Sequence, residues 1–266
     1  MKAHPTALID PAAGIADDVE IGPYTIIESG VRIDAGCRIG SHVHLLGSVE
    51  IGAGTTVGPG AIIGADPQSV GFDPAVKSGV VIGKDNVIRE YVTIHRGLKD
   101  GANTRIGDHN FLMTGAHLGH DVILGNHTVI ANNCLLAGHV IVGNRCFLGG
   151  GSVYHQFMRI GDFVMAQGLA ALGLDIPPFV IAAGTNRIAG INVTGLKRAN
   201  LDRDVRAGIK GAFDLFYCRG LNLSQALEEA GKREWRGEAA QFVDFFRQET
   251  HRGFCLQSRR GARNEE

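Results

Sequence analysis

The sequence predicts a parallel β-solenoid followed by a helical C-terminal segment, and three observations carry that reading. Ile9, Ile15, Ile21, Ile27, Ile33, Ile39, Leu45, Ile51, Val57 and Ile63 are each six residues apart. Residues 112–159 divide into LMTGAH, LGHDVI, LGNHTV, IANNCL, LAGHVI, VGNRCF, LGGGSV and YHQFMR. The first position is aliphatic except at Tyr154, and the fifth is mostly small or compact. From about Leu196 the spacing changes, and Leu201, Val205, Ile209, Phe213 and Phe216 follow a helical period. Self-similarity at a short fixed period marks a solenoid. Three hexads make one 18-residue triangular turn, and turns stack about 4.8 Å apart, the spacing of strands in a sheet. First and fifth positions then point inward, and each turn is stabilised by its neighbours.

Composition agrees. A chain of 266 residues with 38 Gly and 6% aromatics is globular and suited to tight corners. A formal net charge of −1 gives no nucleic-acid footprint. No apolar run reaches bilayer length, and the first ten residues lack the layout of a signal peptide. A soluble cytoplasmic protein is expected. Of five Cys, Cys37, Cys134 and Cys146 fall on fifth positions and read as core filler; Cys218 and Cys255 fall in the helical region. No CxxC or metal-ligand spacing occurs, so neither a metal nor a cofactor is called for.

Taken in order, the hexads run from the N-terminus to Ile63 and break over residues 65–81, which hold two Pro. Ile82, Ile88 and Ile94 restore the phase. Residues 97–105 break it again, with Asp100 where an aliphatic belongs, and Ile106 resumes it as far as Ile160. Both breaks read as loops projecting from a rigid scaffold, the usual carriers of function. The coils over 161–184 are degenerate, and Pro177 and Pro178 are expected to end regular pairing. The solenoid is assigned to residues 1–191 and a helical domain to 192–266. In that domain Asp202 is the expected N-cap of the first long helix. A second helix is expected over about 224–230 with Gly231 as its stop, and a third over about 235–248. These helices cap the open end of the solenoid. The tail is mildly basic, and Arg252, Arg259, Arg260 and Arg263 read equally as a solvated terminus or a site for an acidic partner.

Seven of the eleven His lie between His95 and His155. His117 is a sixth position, His120 a third, His139 a fourth and His155 a second, so none points into the core. His109 and His127, both fourth positions, read as stacked corner residues without function. His120, Gly138 and Gln156 are 18 apart in succession and stand in one row, one per turn. A general base beside a glycine with an open N–H is the minimum for acyl transfer. The base takes a proton from a hydroxyl or amine, and the N–H stabilises the oxyanion. Asp121 can orient the imidazole. The row holds no Ser or Cys, which favours direct transfer over a covalent enzyme intermediate.

The ordered motifs IREYVTIHRG (88–97), AHLGHD (116–121), LAGHV (136–140), VYHQF (153–157), DIPPFVIAAG (175–184) and GLKR (195–198) resemble those of the UDP-N-acetylglucosamine 3-O-acyltransferases that begin lipid A biosynthesis. The resemblance runs nearly end to end. It implies a left-handed parallel β-helix of hexapeptide repeats, a homotrimer with sites between subunits, and an (R)-3-hydroxyacyl donor on acyl carrier protein. By resemblance His120 is the general base, Asp121 its orienting partner and Gly138 the oxyanion donor. Gln68 matches a loop residue; His117, His155 and Gln156 match substrate-positioning residues, and His139 lines the same cleft. Asn192 and Arg198 match the nucleotide-contacting tail. Gly168, with Met165 as the next position, matches the limit of the acyl groove.

The chain departs from that family in acceptor recognition. The usual loop sequence Gln-Asp-Leu-Lys-Tyr is here Gln68-Ser69-Val70-Gly71-Phe72, with Lys77 nearby. Ala199 stands for a second Arg and Thr194 for a Glu. The acceptor is therefore UDP-GlcNAc, its 3-amino analogue or another nucleotide sugar. The second acyltransferase of the same pathway carries an extra N-terminal domain, for which hexads beginning by Ile9 leave no room. A γ-type carbonic anhydrase would use His117 and His120 as zinc ligands but gives the helical tail no role. A non-catalytic scaffold gives no reason for His120, Gly138 and Gln156 to share a row.

Overall fold

Each hexad supplies one two-residue strand and one corner, so stacked hexads close into three parallel sheets. The computed structural model describes residues 1–257. Its strands form sheets of 12, 9 and 8 members. The first sheet starts at Lys2–Ala3, the second runs from Leu8–Ile9 to Ala171–Leu172, and the third from Gly14–Ile15 to Arg159–Ile160. Register follows the 18-residue turn: Leu118 pairs with Leu136, and Leu136 with Tyr154. From Val19 onward the first and fifth positions of the regular coils form one continuous buried column. Burying each Val, Leu or Ile there is worth about 1.5–3 kcal/mol. Cys37, Cys134 and Cys146 are buried in it as expected. Hydroxyls at fifth positions are satisfied across the corner: Thr25 donates to the Gly40 carbonyl at 2.7 Å and Thr128 to that of Gly143 at 3.1 Å.

The corners have their own rule. Fourth positions adopt left-handed backbone even without glycine, as at Asp121 (φ 60°), His139 (φ 60°) and Phe157 (φ 65°). His109 and His127 are such corners, their rings stacked 4.8 Å apart. Third-position N–H groups face outward. Along the corner between the third and first sheets, the next coil's side chain takes each one. Asp108 N–H donates to Asn126, Asn126 N–H to Asn144, and Asn144 N–H to Asp162, at 2.7–2.9 Å.

The two loops occupy residues 66–78 and 96–102, shorter than the expected 65–81 and 97–105 at their far ends. Gly79–Ile82 and Asn103–Ile106 are four-residue strands that pair in register with each other and, through the former, with Ser48–Ile51. Their inward residues Val80 and Thr104 stack in register on Val49 and are buried, each two residues before Ile82 or Ile106 as a fifth position should be. Pro177 and Pro178 end the third sheet, leaving Ile176 a single bridge to Ile160. They do not end pairing elsewhere, contrary to expectation. Val180–Ala183 pairs parallel with Met165–Ala166 and antiparallel with Arg187–Ile191.

Among the described residues four helices follow: α1 (Val193–Arg198), α2 (Arg203–Tyr217), α3 (Leu223–Gly231) and α4 (Gly237–Arg247). The six-residue α1 was not anticipated as a separate helix. Asp202 stands at the N-cap of α2 but makes no side-chain cap bond, whereas Asn222 and Gln225 form a capping box on α3. Phe213, Phe216, Tyr217, Phe242 and Phe246 pack α2 against α4. The segment is tied to the solenoid through buried Asp175. Its carboxylate accepts from Arg159 Nε at 2.9 Å and from Thr250 at 2.8 Å. Gln241 of α4 donates to Asp162 at 2.7 Å, at the end of the corner ladder. Arg259, Arg260 and Arg263 lie outside the described residues. No helix among the described residues is long and apolar enough to cross a membrane.

Candidate active site

The corner between the second and third sheets carries His120, Gly138 and Gln156, one per turn, where the opposite corner carries its Asn and Asp ladder. The next-coil residue above His120 is a glycine, so no side chain reaches back. A Cβ built on Gly138 would fall 2.5 Å from His120 Nε2. The imidazole thus packs directly onto the glycine, and any larger residue would displace it. The Gly138 N–H has no acceptor among the described residues.

Asp121 holds the ring from the other side. Its Oδ2 lies 2.8 Å from His120 Nδ1 and accepts Leu98 N–H at 2.9 Å. Its own N–H donates to Thr104 Oγ1 at 2.8 Å. A carboxylate on Nδ1 keeps the proton there and leaves Nε2 as the free acceptor. His139 stands beside this pair, its Nε2 3.8 Å from Asp121 Oδ2 and its ring edge-on to His120 and stacked on Phe157. Burial is the main cause of a lowered His139 pKa.

The cleft in front of His120 has a volume of about 370 Å³ and is lined by Gln68, His95, His117, Gly119, His120, Leu135, Ala137, Gly138, Val153, Tyr154 and Gln156. His117 Nδ1 lies 2.8 Å from Thr93 Oγ1. Burial, with a smaller contribution from the charge of His95, pushes its pKa down to about 4, so it is neutral near pH 7. Of the residues expected at the site, Gln68, His117, His120, Gly138 and Gln156 meet in this cleft, with Asp121 and His139 behind it. His155 does not line it; its ring faces its own neighbour, Nδ1 3.2 Å from the Gln156 carbonyl. Asn192 spends its amide on structure, capping α1 through Gly195 N–H and donating to the Phe163 carbonyl at 2.9 Å. Arg198 is exposed on the last turn of α1. Met165 faces outward on the first sheet, and Gly168 sits at the other corner of the second sheet, away from His120. Among the described residues no Lys or Arg lines the cleft. Lys77 lines a separate groove of about 1020 Å³.

His95 was missed as a site residue. As a second position it faces outward, into the cleft, but the start of the 66–78 loop covers it. It is buried, edge-on to His117 at 5.1 Å, with Nδ1 2.6 Å from the Asp66 carbonyl. The IHRG motif was the only sign of it.

Among the described residues His120, Asp121 and His139 bring possible metal ligands within 4.8 Å of one another. Asp121 Oδ2 already accepts two hydrogen bonds, which a cation would have to break. His117 is not in that group. The set does not fit the zinc site of a carbonic anhydrase.

Comparison with known proteins decides the family. The UDP N-acetylglucosamine O-acyltransferase domain 2 family matches residues 175–255, and the bacterial transferase hexapeptide family matches 103–138. An acyl-[acyl-carrier-protein]–UDP-N-acetylglucosamine O-acyltransferase of Saccharophagus degradans is 44% identical over 85% of this chain and 88% of its own length. The Synechocystis enzyme of the same description is 39% identical over 81% and 76%. The chain belongs to this acyltransferase family. LpxA of Acinetobacter baumannii superposes with a TM-score of 0.90 at 37% identity, covering 95% of this chain and 98% of that one. The Francisella novicida UDP-N-acetylglucosamine acyltransferase gives 0.92 at 31% identity, over 97% and 95%. The fold is the left-handed parallel β-helix of those enzymes.

Proposed function

We propose that the enzyme transfers an acyl group from acyl carrier protein to the 3-position of UDP-N-acetylglucosamine, the first step of lipid A synthesis, with His120 as general base. The observation that carries the residue assignment is the imidazole packed on Gly138 beside an N–H that no acceptor among the described residues takes. His120 Nε2 removes the proton of the sugar 3-hydroxyl as its oxygen attacks the thioester carbonyl. Asp121 stabilises the imidazolium, and the Gly138 N–H donates to the oxyanion of the tetrahedral intermediate. Collapse breaks the carbon–sulfur bond. The leaving thiolate takes the proton from His120 Nε2 and departs as the carrier's thiol. His117, neutral near pH 7, serves as a hydrogen-bond partner rather than a proton carrier.

His120→Ala tests this directly with acyl carrier protein thioesters and UDP-GlcNAc. A general base is worth about 10²–10⁴-fold, and an outward-facing ring leaves the circular dichroism unchanged when truncated. Activity within a few-fold of wild type would sink the assignment. The same assay, run as a competition between UDP-GlcNAc and its 3-amino analogue, tests the acceptor. Ser69 and Gly71 stand where a loop carboxylate and cation were expected, so a preference for the amine would replace the acceptor and keep the chemistry.

A further inference from the structure

The 66–78 loop brings Gln68 to the cleft, yet it has little to hold it in place. Within itself it makes only short-range turn bonds, such as Ser69 N–H to the Pro67 carbonyl at 2.8 Å and Phe72 N–H to Ser69 at 3.1 Å. Val70 at its tip is fully exposed. The ends of the loop are pinned by His95 at the Asp66 carbonyl and by Asp100 at Lys77 N–H, and one side chain, Arg96, spans it from start to end. Arg96 leaves the wall just after His95 and enters the loop with only 11% of its side chain exposed. Its Nε donates to Asp66 Oδ1 at 2.8 Å and its Nη2 to the Pro74 carbonyl at 3.0 Å. Its Nη1 donates to the Val76 carbonyl and to Ser78 Oγ. The guanidinium carbon lies 4.9 Å from the Phe72 ring centroid. One planar fork therefore grips the loop at its start, its middle and its end.

The far end of the loop is joined to the catalytic pair. Lys77 N–H donates to Asp100 Oδ1 at 2.7 Å, and Gly101 N–H returns to the Lys77 carbonyl at 2.8 Å. Asp100 and Gly101 belong to the 96–102 loop, whose Leu98 N–H holds Asp121. Both loops and the Asp121 carboxylate form one hydrogen-bonded body.

We propose that Arg96 is the positioning residue of the acceptor loop. It touches neither reacting atom, and it sets acceptor affinity by holding Gln68 over the cleft. The proposal rests on the acyltransferase reading above. Each charge-assisted bond to the loop is strong, so releasing the fork with Arg96→Ala is expected to raise the KM for UDP-GlcNAc about ten- to a hundred-fold. The donor KM is expected to stay unchanged and kcat to stay within about threefold of wild type. Lysine cannot reproduce the fork, so Arg96→Lys recovers only part of the loss. Trypsin is expected to cut after Lys77 faster in the variant. In a Gln68→Ala background Arg96→Ala should cost little more, because both changes remove one interaction.

A wild-type acceptor KM in Arg96→Ala overturns the proposal. So does a fall in kcat with no rise in KM, or full additivity with Gln68→Ala. If Arg96→Ala does not fold, Asp66→Asn weakens the same clamp from the loop side, and it must raise the acceptor KM for the proposal to stand. Failure of the underlying reading looks different: wild-type protein would show no transfer to UDP-GlcNAc, or His120→Ala would retain activity.

Discussion

At His117 a single side chain carries a measurable pH signature. It sits against Thr93 and His95, and burial moves its pKa from 6.5 to about 4. In the unfolded chain the ring binds a proton as the pH falls through about 6.5; in the folded chain it does not until about 4. Over that window the unfolded state binds more protons, so stability falls with falling pH, and the loss is complete below the folded value. His139, lowered for the same main reason, adds in the same direction. The urea midpoint of the wild type is expected to drop between pH 7 and pH 5. His117→Gln, which keeps a polar partner for Thr93 and cannot titrate, should drop less. Equal slopes for the two proteins would show that His117 titrates normally in the fold.

Element by element, what the sequence revealed followed the strength of the repeat. First and fifth positions could be read because an inward side chain every six residues has no alternative in a coil three hexads long. The row of His120, Gly138 and Gln156 was legible for the same reason. His95 was not, because its burial comes from the 66–78 loop folding over an outward position, and nothing in a hexad count shows where a loop will lie. The ends of both loops were misplaced because Gly79–Ile82 is held by pairing with Ser48–Ile51 and Asn103–Ile106 by pairing with Gly79–Ile82, a non-local cause. Helix α1 escaped notice because six residues carry no period; only Asn192, a good cap, announced it. Gly168 belongs to this scale, since its role depends on which corner it occupies. A Cβ there would lie 3.2 Å from the Gly150 carbonyl, tight but short of a clash, and the position is exposed. Gly168→Met is therefore expected to fold. If the corner ends the acyl groove, each methylene it excludes forgoes about 0.8 kcal/mol, and the preferred acyl chain becomes shorter. Mass spectrometry of products from a mixture of carrier thioesters would show the shift. An unchanged profile points to Met165 instead.

For the whole molecule, the cleft and the face around it point to assembly. Among the described residues the cleft has a base, an oxyanion donor and apolar residues, but no Lys or Arg to meet a diphosphate. The coils around it present apolar side chains outward: Ile123, Leu135, Ile141, Phe147 and Val153 are each 41–43% exposed. Both features are met if neighbouring copies pack solenoid against solenoid and supply the opposite wall. Closed cyclic symmetry then gives one such cleft per interface. We expect a trimer, with a sedimentation-equilibrium mass three times the 28.3 kDa chain; an active monomer at assay concentration would refute it. Arg198 is the basic group to follow, because it ends α1 fully clear of its own chain's His120 cleft. If it serves the next subunit's acceptor, His120→Ala and Arg198→Ala fail in different halves of a shared site. Co-expressing the two variants then creates mixed trimers in which some interfaces pair an intact His120 with an intact Arg198. Those trimers should recover activity that neither variant has alone. Were both residues to serve one chain's site, every site would carry a defect, and mixed trimers would do no better than the average of their parents.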